Sequence, residues 1–275
     1  MCLTTKGVEM KKSLLAALLA VAGITSASAV EVFDGNLTGN LGITSNYEFR
    51  GISLSQNGPA IQGGIDYQHK SGLYIGNWNS SFRGVPNLNN DDIDANSGVQ
   101  MNVYAGWRGE YQGVRGDIGY ITYNYPHATN AGETNVINYN TGEAYAALGY
   151  GPVTVKYSQT MTNYFGVNNS SGTNYLQADI KQSLAPLAPE LKNLSVVLHY
   201  GHTNVANHSN LNYNDMNAGL VYSFPEQWDL GVRYYTNSSM TSTFKNVNTF
   251  GGTKLYSNAV VFDIKKRSEE RRVGK

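Results

Sequence analysis

The chain has few of the groups that build disulfides, thiolate metal sites and transmembrane helices. Its only cysteine among 275 residues is Cys2, so no intrachain disulfide can form. After residue 30 there is no run of 18 apolar residues, which excludes an ordinary transmembrane helix there. The 20 basic and 20 acidic residues balance, so no charge excess favours nucleic acid as a partner. Nucleophile motifs of the Gly-x-Ser-x-Gly kind and His-Glu-x-x-His are also missing, so we expect no enzyme, metal or cofactor.

An export signal is predicted near the start of the chain. Lys11 and Lys12 precede an apolar run at 14–24, and Ala27-Ser28-Ala29 is a small-residue cleavage site. We therefore expect residues 1–29 to be an upstream extension plus signal peptide and 30–266 to be one domain. Residues 267–275 are hydrophilic without a strand period, and we interpret them as a non-native tail.

Residues 99–111 alternate between apolar and polar side chains. Val103 and Trp107 represent one set of alternate positions, while Asn102 and Arg108 represent the other. Side chains on a strand point to opposite faces with a period of two, so this segment predicts a strand with one apolar and one ionisable face. Similar runs recur along the chain, which is typical of an outer-membrane β-barrel.

Twelve strands are predicted in all, at 37–52, 59–68, 72–82, 99–111, 114–125, 143–150, 153–163, 174–184, 194–202, 213–224, 228–236 and 255–265. Tight turns alternate with longer polar segments at 83–98, 126–142, 164–173, 203–212 and 237–254. Outer-membrane barrels have short periplasmic turns and long external loops. The expected fold is therefore all-β, a transmembrane antiparallel barrel of about 12 strands. A soluble β-sandwich also alternates and is the competing interpretation.

The register predicts which side chains face outward and where aromatic girdles lie. The outward set comprises Leu37, Leu41, Ile43, Tyr47, Phe49, Ile61, Ile65, Tyr67, Val153, Val155, Tyr157, Met161, Met216, Ala218, Leu220, Tyr222, Phe224, Val260, Phe262 and Ile264. One girdle, near the short turns, would comprise Tyr67, Tyr111, Tyr150, Phe224 and Trp228. The other, near the long loops, would comprise Phe82, Tyr125, Tyr164, Phe165, Tyr175 and Tyr235.

A family resemblance lies in residues 45–82. The segments Ser45-Asn46-Tyr47-Glu48-Phe49-Arg50-Gly51-Ile52-Ser53-Leu54-Ser55, Pro59-Ala60-Ile61-Gln62-Gly63-Gly64-Ile65-Asp66-Tyr67 and Ser71-Gly72-Leu73-Tyr74-Ile75-Gly76-Asn77-Trp78-Asn79-Ser80 carry it. This stretch resembles the TorF-like family of proteobacterial porin-like proteins. The resemblance implies an outer-membrane barrel with a pore, and it supplies no substrate or catalytic residue.

The other face of the strands is expected to line the lumen. Its predicted pore-lining residues are Glu48, Arg50, Asp66, Arg108, Glu110, Arg115, Asp117, Lys156, Asp179, Lys181 and Arg233, and the same register turns Gln62, Asp229, Asp263 and Lys265 inward. Rings of charge tune which solutes pass a pore. We take Glu48, Arg50, Arg108 and Arg115 as candidates for a constriction.

These inferences predict a porin-like channel for passive diffusion of small hydrophilic solutes. The expected partners are outer-membrane lipid and lipopolysaccharide, the solutes themselves and the barrel-assembly machinery. If the lumen charges pair across strands, the barrel is plugged and serves as a structural or adhesive protein. A barrel lipid hydrolase using His199 with Ser158 or Ser223 is the weaker alternative.

Overall fold

The computed structural model describes residues 30–32, 34–83, 98–126, 138–250 and 252–268. The predicted signal peptide, much of two predicted loops (83–98 and 126–142) and nearly all of the predicted tail lie outside the described residues.

Twelve antiparallel strands form one closed sheet, as the sequence predicts. They are β1 (Gly35–Thr44), β2 (Ala60–His69), β3 (Leu73–Ser81), β4 (Val99–Tyr111), β5 (Val114–Asn124), β6 (Thr141–Tyr150), β7 (Val153–Thr160), β8 (Asn174–Ser183), β9 (Leu194–Asn204), β10 (Tyr213–Ser223), β11 (Trp228–Ser238) and β12 (Ala259–Arg267). Each strand pairs with the next, and β12 pairs with β1 through Asp263↔Thr44 to Arg267↔Asn40. The sheet therefore has no free edge along these strands.

Short elements decorate this barrel. They are the short strands Val30–Val32, Glu48–Phe49, Ile52–Ser53, Thr249–Phe250 and Thr253–Lys254, the helix α1 (Ser242–Val247), and 3₁₀ turns at Pro189–Leu191, Ser209–Leu211 and Pro225–Gln227. Val30–Val32 pairs with the start of β1. No helix within the described ranges is both long and apolar enough to cross a membrane.

The connections differ in length at the two ends of the barrel. At one end, called the turn side, strands join through segments such as Gln112-Gly113, where both residues have positive φ (50° and 80°). A two-residue turn of this kind matches the twist of the flanking strands. The long segments leave from the opposite end, called the loop side. The one long turn-side connection contains the 3₁₀ turn Pro189–Leu191.

The outside of the barrel is apolar and exposed. On β4, Val103 is 46% exposed whereas its neighbour Asn102 is 5% exposed. The exposed outward side chains include Ile61, Ile65, Ile75, Val103, Trp107, Ile118, Leu148, Val155, Tyr157, Leu176, Leu198, Leu220, Leu230, Val260, Phe262 and Ile264. The outward positions predicted from alternation are confirmed for β2, β7 and β12, because a period of two fixes a whole face once one residue is placed.

The predicted first strand is too long. It ends at Thr44 rather than residue 52, and residues 45–59, here called the inward loop, fold inside the barrel. Within this loop Glu48–Phe49 pairs with Ile52–Ser53 around Arg50 and Gly51, which have φ of 49° and 71°. The prediction that Tyr47 and Phe49 face outward is therefore wrong. Alternation continues across the bend, so the pattern alone cannot show where the strand leaves the wall.

The predicted loop-side girdle is also wrong. Phe82, Tyr125, Tyr164 and Phe165 are buried in the apolar cluster inside the barrel, and Tyr175 is buried on the inward face of β8. Tyr235 lines an internal cavity, whereas Tyr234 is the exposed residue of that pair. The turn-side girdle is confirmed at Tyr111, Tyr150 and Phe224, which are exposed.

The last strand extends past its predicted end. Arg267 belongs to β12 and pairs with Asp229 at 2.8 Å, and Ser268 accepts a hydrogen bond from the Gly39 amide. Both residues belong to the predicted tail, and the strand continues two residues past its predicted end at 265, into that segment.

Candidate functional site: a polar lumen capped on one side

The loop side of the barrel is filled by a cluster of buried apolar side chains, here called the aromatic plug. It consists of Tyr47, Ile52, Leu54, Ala60, Phe82, Tyr123, Tyr125, Tyr139, Tyr164, Phe165, Val167, Val205, Leu211, Tyr213, Phe244 and Leu255. The rings meet mostly edge to face, as in Phe165 against Tyr123 with centroids 5.4 Å apart. Because its members come from several loops and from the inward loop, the plug joins these segments into one core.

A buried ion pair anchors the inward loop to the wall. Arg50 Nη1 and Nη2 donate to the two carboxylate oxygens of Glu143 on β6 at 2.9 and 2.8 Å. The two side chains are 6% and 1% exposed, so water does not weaken the pair. The guanidinium also lies 4.2 Å from the ring centroid of Tyr175, a cation–π contact. Tyr213 donates its hydroxyl proton to the Arg50 carbonyl, which fixes the turn itself.

Polar side chains of β8, β9 and β10 continue this anchor around the wall. Tyr175 donates to Asp215, and both lie within hydrogen-bond distance of His199 Nε2. His199 Nδ1 lies 2.6 Å from Asp179 Oδ1. A doubly protonated imidazolium satisfies both carboxylates, since each ring nitrogen then donates. The network is polar and fully partnered, so it braces the barrel under the plug.

A polar chamber occupies the turn side of the lumen. Cavities of about 750 Å³ and 480 Å³ meet at Gln68, Arg108 and Gly109. Charged residues on their walls are Asp66, Lys70, Arg108, Glu110, Arg115 and Asp117. Arg108 pairs with Asp117 at 3.6 Å and lies over the Tyr74 ring. Charges of both signs therefore line this chamber.

The predicted site residues lie at different levels of the lumen. The turn-side chamber is lined by Asp66, Arg108, Glu110, Arg115 and Asp117. A cavity beside the inward loop is lined by Arg233 and Glu48, and Arg50 lies in the inward loop itself. Lys156 lies over the Tyr145 ring, Asp179 bonds His199, and Lys181 is exposed near the end of β8.

The four constriction candidates do not form one ring. Arg50 bonds Glu143 on β6, while Arg115 pairs with Gly149 on the same strand. Six residues of strand separate the two levels, about 20 Å at roughly 3.3 Å per residue. Glu48 belongs to the upper level, and Arg108 to the lower one.

Two residues of the upper network, Glu143 and Asp215, are not among the site residues predicted from the sequence. Glu143 stands at the predicted end of its strand, where no partner was apparent. Asp215 could have been found, since the outward Met216 places its neighbour inward by alternation. The Arg50–Glu143 contact spans 93 residues, and no local pattern encodes such a distance.

Glu48 is electrostatically unusual among these groups. Burial raises the pKa of Glu48 to about 8, the hydrogen bond from Asn46 opposes this, and the nearby Asp215 charge adds to it. Asn46 Nδ2 donates to Glu48 Oε1 at 2.6 Å, but Oε2 is buried without a partner among the described residues. The carboxyl group thus holds its proton at neutral pH unless a cation approaches it.

The proposed serine–histidine pairs do not form. His199 contacts Asp179, Asp215 and Tyr175, and Ser223 donates to Asp229. Within the described ranges, no group of three or more His, Cys, Asp or Glu side chains is placed to hold a metal ion.

The fold and interior together define a closed antiparallel β-barrel of twelve strands around a charged lumen. The chain belongs to a bacterial family described as "Bacterial protein of unknown function (Gcw_chp)", which it matches over residues 27–267. Comparison with curated proteins finds no match.

Several solved porins have a similar arrangement of strands. The KdgM porin in complex with disordered oligogalacturonate is 8% identical, with a TM-score of 0.48, covering 85% of this chain and 98% of that chain. The NanC porin is 8% identical, with a TM-score of 0.47 and coverage of 85% and 99%. OprD from Pseudomonas aeruginosa is 11% identical, with a TM-score of 0.38 and coverage of 87% and 66%.

Proposed function

We propose that this protein is an outer-membrane channel for small hydrophilic solutes, closed on its loop side by the aromatic plug. One observation carries the proposal: the barrel has its apolar side chains outside and its charges inside. Ile65 and Phe262 are more than half exposed, whereas Asp117 and Arg233 face internal cavities. The membership in a TorF-like group suggested by residues 45–82 is part of this proposal.

The inside-out distribution suits a barrel in lipid. Hydrocarbon offers backbone amides no hydrogen-bond partner, so an open sheet edge would cost several kcal/mol for each unpaired group. The closed sheet leaves no such edge along its twelve strands. Eleven of the strands have 9 to 13 residues, the length that crosses a bilayer when tilted, and β7 has 8. The apolar belt would contact outer-membrane lipid and lipopolysaccharide, after insertion by the barrel-assembly machinery.

Passage through the lumen would require the inward loop to move. The turn-side chamber is open and charged, but Phe49, Tyr164 and Phe165 fill the described lumen above it. A permanently closed structural or adhesive barrel is the second candidate, and the aromatic plug is the observation that favours it. The two candidates differ in whether the plug can be displaced.

Planar-bilayer recording of the full chain tests the proposal. We expect mostly closed records with brief discrete conductance steps, because the anchored loop leaves the lumen only transiently. Protease protection of reconstituted vesicles would verify insertion independently. Verified insertion without any conductance, in the wild type and in a variant lacking the Arg50 anchor, would favour the closed structural barrel and contradict the channel.

A further inference from the structure

A separate cavity of about 310 Å³ lies between the inward loop and the barrel wall, and is here called the side cavity. Its aromatic walls are Tyr47, Trp78 and Tyr235, and its ionisable walls are Glu48, Arg233, Asp263 and Lys265. At roughly 30 Å³ for each water molecule, it could hold about ten waters or one small organic solute. Aromatic walls with a few polar groups are typical of ligand sites.

The first feature of this cavity is a carboxylate without a full set of partners. Glu48 Oε2 makes no hydrogen bond to any residue that the structure describes. The two nearby arginines are engaged elsewhere, since Arg50 binds Glu143 and Arg233 binds Asp263. Glu48 Oε2 has almost no solvent-accessible surface, so the Glu48 side chain would have to turn toward the cavity to accept from a ligand, and the oxygen would then gain the partner that it lacks.

The second feature is an ammonium group without an ion pair. Lys265 lies on β12 and faces the lumen, two residues and about 7 Å along the strand from Asp263. No described carboxylate lies within ion-pair distance of its Nζ. The acids around it are already occupied: Arg233 binds Asp263, Arg267 binds Asp229, and Tyr104 donates to Asp66.

Glu48 and Lys265 both line the same cavity, and Glu48 becomes the negative partner when a cation approaches it. The charges of Arg233 and Asp263 neutralise each other in their ion pair. The charges that a ligand must carry are therefore set by Glu48 and Lys265. No ion pair joins Glu48 directly to Lys265 within the described residues, although a direct pair would satisfy both. A solute that carries an ammonium at one end and a carboxylate at the other would give both Glu48 and Lys265 a partner of opposite charge.

We infer that the side cavity is a binding site for a small zwitterion with separate ammonium and carboxylate groups, the ammonium on Glu48 and the carboxylate on Lys265. The cavity walls Trp78 and Tyr47 would flank the ammonium, where cation–π attraction adds to the ion pair. This deepens the proposed function by naming a solute class. Its test measures binding rather than conduction, so the two proposals can fail separately.

The test is isothermal titration calorimetry of the refolded full chain in detergent micelles. The probes are glycine, 4-aminobutanoate and 6-aminohexanoate, with butanoate and butylammonium as single-charge controls. We expect saturable binding of at least one zwitterion, at least about tenfold tighter than either control, since each lost charge-assisted bond is worth about 1.5 kcal/mol or more.

Two variants test which residue binds each end of the ligand. Glu48→Gln and Lys265→Met are each expected to weaken zwitterion binding at least about tenfold, while Lys245→Met, on exposed α1, leaves it unchanged. If Glu48→Gln does not refold, Glu48→Asp withdraws the same carboxylate by one methylene. Equal binding of zwitterions and single-charge controls, or full affinity in both site variants, would overturn the inference whether or not the barrel conducts.

Discussion

Replacing Arg50 by methionine is expected to shift the proposed channel strongly toward a conducting state. The change removes a bidentate ion pair and leaves the Glu143 carboxylate buried at 1% exposure without its cation. Breaking one partner of a buried pair costs about 3–5 kcal/mol. If that cost falls on the closed state alone, the closed-to-open ratio falls by about two to four powers of ten. Planar-bilayer recording measures this as a rise in open probability.

A second readout follows the inward loop directly. Ile52 is 7% exposed in the plug, so a cysteine at this position should resist a water-soluble thiol reagent. It should react in the Arg50→Met background, because the loop then leaves the lumen. The control is the double variant Arg50→Met with Glu143→Met, which removes both charges and should be closed more often than the single variant. Unchanged open probability and unchanged labelling in Arg50→Met would contradict the anchoring role.

Replacing Ile65 by lysine is expected to prevent stable insertion of the barrel. Ile65 lies midway along β2, and its side chain is 58% exposed on the outer wall. A lysine facing lipid near the bilayer midplane costs about 2–4 kcal/mol. Urea unfolding in lipid vesicles, followed by heat-modifiable gel mobility, should show this loss.

The matched control places the same residue on the same strand with the opposite facing. Gln62 lines the side cavity, so Gln62→Lys sets the ammonium inside a polar space close to Glu48. We expect Gln62→Lys to insert and unfold nearly like the wild type. Equal destabilisation of the two variants would mean that the outer face is not in contact with lipid.

The strands were predictable because each obeys a local rule. For β4 the predicted and observed bounds agree at 99 and 111, and β8 and β9 start where predicted. Gly113 and Gly151 marked turns through the positive φ that they adopt. Alternation also fixed the facing of Ile65 and Val103, since one placed residue determines the rest of the face.

The interior was predictable only in part. Charge and facing placed Asp117 and Arg233 inside, and the same alternation turns Tyr175 inward with Asp179 and Tyr235 inward with Arg233. Phe165 lies beyond the predicted end of its strand at 163, so no strand register fixes its facing, and the fold of the loop decides whether it is buried or belongs to a girdle. The Arg50-Gly51 turn carried a usable signal, because a strand of 16 residues exceeds the 9–11 or so that a bilayer needs.

The central claim is that β4 has one lipid-facing side and one lumen-facing side. The most direct measurement is spin labelling of single cysteines at 101–105, 107 and 108 in lipid vesicles, in a background where Cys2, the only cysteine of the chain, is replaced by serine. Oxygen accessibility should peak at Met101, Val103, Ala105 and Trp107, whereas a water-soluble nickel chelate should reach Arg108 from the chamber. Accessibility without a period of two, or chelate access at the odd-numbered positions, would contradict the account.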